Sequence, residues 1–336
     1  MTDIKPVVAG LGLFFMLTAA TAFGEADFAE AERRIAAADS PFGAIVDLSG
    51  LSELEVLPQS IAELENLSYL QLSGTSVTDL QLLAGAENLR TLLIHDTPIT
   101  DISALAGLAS LAELRISNTR ISDLSPIGRI SNLQSLHAND TGVDDLGFLV
   151  GLEQVEELQL NSNQISDLGP LSELTALKKI SLSRNPISSI DALSGLTDLE
   201  ELSLSETQVE DLSPLAGLSN LYRLAIPSTP VSDISPLAEM PALNHLTLSD
   251  TKIVNLGPLQ KLENLQRLWI NDTAVADLSP LSGVSSLITL VMDSTEVADL
   301  SPLAGLTDLR NLAISDTEVT DISPVEDDEG LRIIGF

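Results

Sequence analysis

The chain has 336 residues, 44% of them hydrophobic, with no cysteine and a formal net charge of -33. It is long enough to bury a core, but that core holds without disulfides, and a thiolate metal site is excluded. So negative a balance repels nucleic acid and anionic lipid and favours basic partners or cations.

The first segment reads as a targeting signal. Lys5 precedes an apolar run over 7–17, and Ala20-Thr21-Ala22 follows as a small-x-small cleavage pattern. We expect a signal peptide over 1–22, a mature chain starting near Phe23, and export to a periplasm or the medium. The run is short for a bilayer span and no second long apolar stretch follows, so no stable membrane protein is expected after cleavage. Residues 23–44 read as an N-terminal helical cap. Within it, 26–38 forms a helix with Phe28, Ala31 and Ile35 on one face, placed to cover a first strand at 45–48. An irregular first unit occupies 46–66 and carries Leu57-Pro58.

The rest of the chain is periodic. Adding 22 to Leu67, Leu70, Leu72, Thr75, Val77, Asp79 and Leu80 gives Leu89, Leu92, Ile94, Thr97, Ile99, Asp101 and Ile102. The step continues without insertion through Leu111, Leu133, Val155, Leu177, Leu199, Leu221, Leu243, Leu265, Leu287 and Leu309, twelve units in all. Leu331, Ile334 and Phe336 open a thirteenth. There Asp328 replaces the apolar residue seen at Leu306, the acidic run 326–329 breaks the pattern, and Phe336 is placed to lid the end of the core. Regular self-similarity at this period means stacked units, none of which can bury its apolar face alone. In each unit the alternating x-L-x-L portion predicts a strand with one buried face. The next inward position is Val or Ile in every unit, as at Val77, Ile99 and Val231, which suits extended backbone against a packed column. Asp-Leu-Ser-Pro-Leu then predicts a capped 3₁₀-like turn, since about six residues remain and Pro costs nothing at a first turn.

The unit LxxLxLxxTxVxDLSPLAGLxx resembles the leucine-rich-repeat family, in particular its 22-residue internalin-like type, over roughly 45–336. The resemblance implies an α/β repeat solenoid: an arc with a parallel β-sheet on the concave face and short 3₁₀ turns on the convex one. It also implies attachment to a protein or cell-surface ligand; we expect a monomer with no catalysis and no cofactor.

Stacking turns sequence columns into ladders. The Thr column, Thr75 to Thr317 with Asn163 and Asn185 interrupting, is expected to point inward and satisfy backbone groups. The Asp column is expected to cap the turns. Its alternative use is calcium binding between neighbouring carboxylates such as Asp79, Asp101, Asp123, Asp145 and Asp167, in a structural cell-envelope protein. On the sheet face, the third, fifth, seventh and eighth positions point to solvent. They hold His95, His137, His245, Trp269, Tyr69, Arg115, Lys179, Arg184, Arg223 and Arg267. The histidines fall in different columns and cannot converge on a metal, and no nucleophile–His–acid set or phosphate loop is present. Arg223, His245 and Arg267 occupy one column in successive units beside Trp269, and they are the candidate partner-binding patch. Glu201, Asp250 and Asp272 are the acids placed to neutralise it.

Overall fold

The computed structural model describes residues 11–38, 40, 42–326 and 330–335. Two compact units divide it, Met1–Leu133 and Gln134–Phe336. In the first, helix α1 (Leu11–Ala38) precedes parallel strands β1 (Ala44–Asp47), β2 (Leu67–Gln71), β3 (Thr91–Leu93) and β4 (Glu113–Arg115). The second holds β5 (Ser135–His137), β6 (Glu157–Gln159), β7 (Lys179–Ser181), β8 (Glu201–Ser203) and β9 (Arg223–Ala225). It continues with β10 (His245–Thr247), β11 (Arg267–Trp269), β12 (Thr289–Val291), β13 (Asn311–Ala313) and β14 (Arg332–Ile334). Within each unit the strands are parallel and neighbour one another in chain order. The fold is the repeat solenoid that the periodicity implies, a parallel sheet on one face and 3₁₀ turns on the other.

The sequence step of 22 is the register of the sheet: Glu157 pairs with Lys179, Lys179 with Glu201 and Glu201 with Arg223. The return path explains the other spacing in the unit. Leu212, Leu215, Leu218 and Leu221 lie three apart, and Leu215 N–H, Leu218 N–H and Leu221 N–H each donate to the carbonyl three residues back, at 2.9, 2.9 and 3.1 Å. A three-residue turn stacks i over i+3, so leucine at every third place keeps one apolar edge facing inward. All four are at most 1% exposed.

The threonines do point inward. Thr97 Oγ1 donates to Ile94 O at 2.6 Å and Thr229 Oγ1 to Ile226 O at 2.8 Å, closing the strand-to-turn bend. Asn163 and Asn185 do the same and more: Asn185 Nδ2 donates to Leu182 O and to Leu160 O of the preceding repeat. The bend itself requires a left-handed residue at the eighth position. Asp96, Asn118, Ser162, Arg184 and Glu206 have φ of 59, 56, 58, 59 and 55° there. Asp and Asn enter that region at low cost, which accounts for their frequency in the column.

Several expectations are corrected at the ends. Helix α1 begins at Leu11, well before the helix expected over 26–38. Ala31 and Ile35 are buried as expected, but Phe28 stays 39% exposed. At its level the helix is held by polar contacts instead, Glu53 N–H donating to Asp27 Oδ2 at 2.9 Å. Among the described residues no helix is long and apolar enough to cross a membrane. The cleavage pattern at 20–22 lies in this helix, while residues 1–10 fall outside the described residues. At the other end β14 slips. Leu312 pairs with Ile333, not with Ile334, because one residue fewer separates β13 from β14 than separates other neighbours. A one-residue shift exchanges faces, so Ile334 stands on the open side of the sheet, 45% exposed. Asp328 and the expected lid Phe336 lie outside the described residues.

Candidate binding surface

The proposed patch lies wholly in the second unit, and the sheet assembles it. Arg223, His245 and Arg267 are direct cross-strand partners on β9, β10 and β11. Parallel strands stand about 4.8 Å apart, so the two arginines are set about 10 Å apart with the imidazole between them. Both arginines are exposed and His245 is half-buried. Trp269 follows Arg267 by two residues on the same face, paired with Thr247 and Val291. It was expected to be exposed and is half-buried.

The row continues toward β6 with charges of alternating sign: Glu157, Lys179, Glu201, Arg223. Lys179 Nζ lies 2.9 Å from Glu201 Oε1, and Arg223 Nη1 lies 3.5 Å from Glu201 Oε2. Tyr222 Oη donates to Glu201 Oε1 at 2.6 Å. Burial alone would raise the Glu201 carboxyl. The Tyr222 and Lys179 hydrogen bonds, with the charges of Lys179 and Arg223, outweigh it and hold the pKa below the usual value. A shallow depression of about 480 Å³ opens over this stretch, lined by Glu157, Lys179, Glu201, Ser203, Arg223 and Ala225.

Of the three acids expected to neutralise the patch, only Glu201 does so. Asp250 and Asp272 sit at the left-handed bend, with φ of 52 and 57°, and neither forms an ion pair with the patch among the described residues. Arg267 forms no ion pair among the described residues, unlike Arg115 with Glu113 and Arg184 with Glu206. His245 is pushed below its ordinary pKa, first by burial and then by the charges of Arg267 and Arg223, against which Glu201 pulls weakly. Its Nδ1 is buried without a hydrogen-bond partner among the described residues. Burial and the two neighbouring arginines thus favour the uncharged imidazole.

The fifth-position row beside the charged one went unremarked in the sequence. Ala225, Thr247, Trp269, Val291, Ala313 and Ile334 stand in register on β9 to β14, a strip of mostly apolar side chains on the open face. The 22-residue step would have shown five of them; Ile334 joins only through the slip of β14.

The remaining candidates do not converge. Tyr69 Oη donates to Gln71 Oε1 at 2.7 Å, His95 Nδ1 lies 2.8 Å from Asp96 Oδ2, and Arg115 is bound to Glu113. His137 lies 3.2 Å from Glu157. Asp79, Asp101, Asp123, Asp145 and Asp167 each accept, through Oδ1, the N–H two residues on, at 2.7 to 2.9 Å. This bond, with the one from the Ser103 hydroxyl, holds the Asp101 carboxyl below its usual pKa, while the charge of Asp123 pushes it the other way. Among the described residues no three His, Cys, Asp or Glu side chains are grouped to hold a metal ion.

The architecture is that of a leucine-rich-repeat protein. The model for leucine-rich repeats in two copies matches residues 87–129, 153–195, 175–217 and 241–283. Internalin F of Listeria monocytogenes is similar at 29% identity over 93% of this chain and 95% of that one, with a TM-score of 0.82. A leucine-rich-repeat protein of Leptospira interrogans is similar at 20% identity over 83% of this chain and 81% of that one, TM-score 0.72. The ectodomain of the Arabidopsis thaliana receptor kinase GASSHO1, in complex with Casparian strip integrity factor 2, matches at 18% identity. That match covers 83% of this chain and 37% of that one, TM-score 0.72. No curated protein sequence matches the chain. The repeats and the fold are those of a leucine-rich-repeat, internalin-like protein.

Proposed function

We propose that the chain is an exported, monomeric recognition module that binds a protein partner on the open face of its sheet, with Arg223, His245, Arg267 and Trp269 at the centre. One observation carries the reading: the register sets two exposed arginines, a half-buried histidine and the chain's sole tryptophan on adjacent strands. Arg and Trp are the side chains most often found at the energetic centre of interfaces, where a rigid apolar body meets directed charge. A binding role needs no reacting group, and the three histidines stand in separate rows of the sheet.

Capture of a partner by the mature chain, followed by affinity measurements, tests the assignment. The Arg267→Ala/Trp269→Ala variant loses more than about 2 kcal/mol of binding, roughly thirtyfold. Its melting curve stays near the parent's, because neither side chain enters the core. Full affinity in a folded double variant overturns the site.

A further inference from the structure

The charged row on the second unit closes upon itself at one end and not at the other. From Glu157 to Arg223 the signs alternate, and Lys179 and Arg223 both reach Glu201. At the next place the alternation fails. A carboxylate would continue it, but His245 stands there, and Arg267 beyond it has no acidic partner among the described residues. Arg223 and Arg267 stand two strands apart with His245 between them, so an anion held over the imidazole is attracted by both guanidinium groups. The row thus leaves a place for one negative charge, between Arg223 and Arg267 and over an imidazole whose Nδ1 is buried. Guanidinium groups match a carboxylate geometrically as well as in charge. About 7 Å along the strand, two residues on, the apolar strip begins with Trp269, flanked by Thr247 and Val291.

We propose that this surface takes a segment of the partner bearing one Asp or Glu side chain close to a large apolar side chain. The carboxylate lies between Arg223 and Arg267 over His245, and the apolar group lies on Trp269 and Val291. This rests on the reading of the sheet face as a protein-binding surface. The net charge of -33 makes the pairing selective. The surrounding field is acidic, so an acidic anchor is favoured where two arginines act on it together, and the partner as a whole is neutral or basic.

Trp269 is the only tryptophan, so its emission reports on this surface alone. The probes are the blocked peptide acetyl-Gly-Glu-Gly-Phe-amide and its analogues with Gln, Lys or Asp for Glu and Ala for Phe. The Glu and Asp peptides change Trp269 emission saturably, and the effect weakens with added salt. The Gln and Ala analogues bind about tenfold more weakly, and the Lys analogue shows no saturation. His245→Glu supplies the carboxylate within the chain: peptide binding falls about tenfold or more, and the protein melts at or above the parent temperature. Exposed Arg267→Ala weakens the Glu peptide without altering the melt. Equal binding of Glu and Gln peptides, undiminished binding by a folded His245→Glu, or no emission change from any peptide up to about 10 mM overturns the acidic anchor. A captured partner that still depends on Arg267 and Trp269 in that case retains the surface and discards only this chemistry.

Discussion

Asn163 interrupts the threonine column, and the structure shows what it adds. Its Nδ2 donates to Ala138 O at 2.8 Å and Leu160 O at 3.0 Å. Its Oδ1 accepts from Thr141 N–H and Val143 N–H of the preceding repeat, both at 3.1 Å. Removing the side chain does not orphan the carbonyls. Ala138 O keeps Thr141 Oγ1 at 3.0 Å, and Leu160 O keeps Asn185 Nδ2 at 2.9 Å. The loss falls on the two N–H groups. An orphaned buried donor costs about 1–3 kcal/mol; Val143 bears that in full, and half-buried Thr141 bears less because it can reach water. Asn163→Ala is therefore expected to destabilise the second unit by about 3 kcal/mol. Asn163→Thr restores only the bond to Leu160 O that other threonines make within their own repeat, so it recovers about 1 kcal/mol. For a unit of this length each kcal/mol shifts Tm by roughly 2–4 °C, giving roughly 6–12 °C for alanine and less for threonine. Thermal melts followed by circular dichroism read the series. Equal melts for alanine and parent, or threonine falling below alanine, refute the inter-repeat role of Oδ1.

Val231 is fully buried, so Val231→Asp is expected to cost at least about 3 kcal/mol; an unchanged melt would place that column in solvent. Asp233 Oδ1 accepts Ser235 N–H at 2.8 Å, and this bond, with the one from the Ser235 hydroxyl, holds its carboxyl below the usual pKa. Its contribution is then complete above the unfolded pKa of about 3.9 and lost as pH falls through the lower folded value. Asp233→Asn, which copies the Asn255 bond to Gly257 N–H at 2.8 Å, is expected to melt near the parent at pH 7 with a shallower acid decline, and Asp233→Ala to melt lower; equal behaviour of all three below pH 4 rules the cap out. Sequencing the exported protein from its N-terminus is expected to start near Phe23, whereas an intact Met1 on a soluble cytoplasmic species defeats export.

The unit was legible because each of its constraints is local or strictly repeated. Alternating leucines give the strand, leucine at every third place gives the 3₁₀ edge, and Asp before Leu-Ser-Pro gives the cap. A constant step of 22 leaves one register in which every apolar column is buried, so His245 opposite Arg223 and Arg267 followed from counting alone. What counting could not supply is whatever depends on distances between side chains. That Glu201 is taken by Lys179, Arg223 and Tyr222, while Asp250 and Asp272 leave Arg267 unpaired, depends on which way each chain leaves the sheet and on the left-handed bend. The same holds where the step is broken. A single residue fewer before β14 turns Ile334 from the core to the open face, because side chains alternate along a strand and only pairing decides the phase. The sequence by itself determined the repeat, the columns and the row on which the patch lies. The tertiary structure decided which charges in that row are answered and which are not, because ion pairing falls off over a few ångströms and residue spacing carries no such resolution.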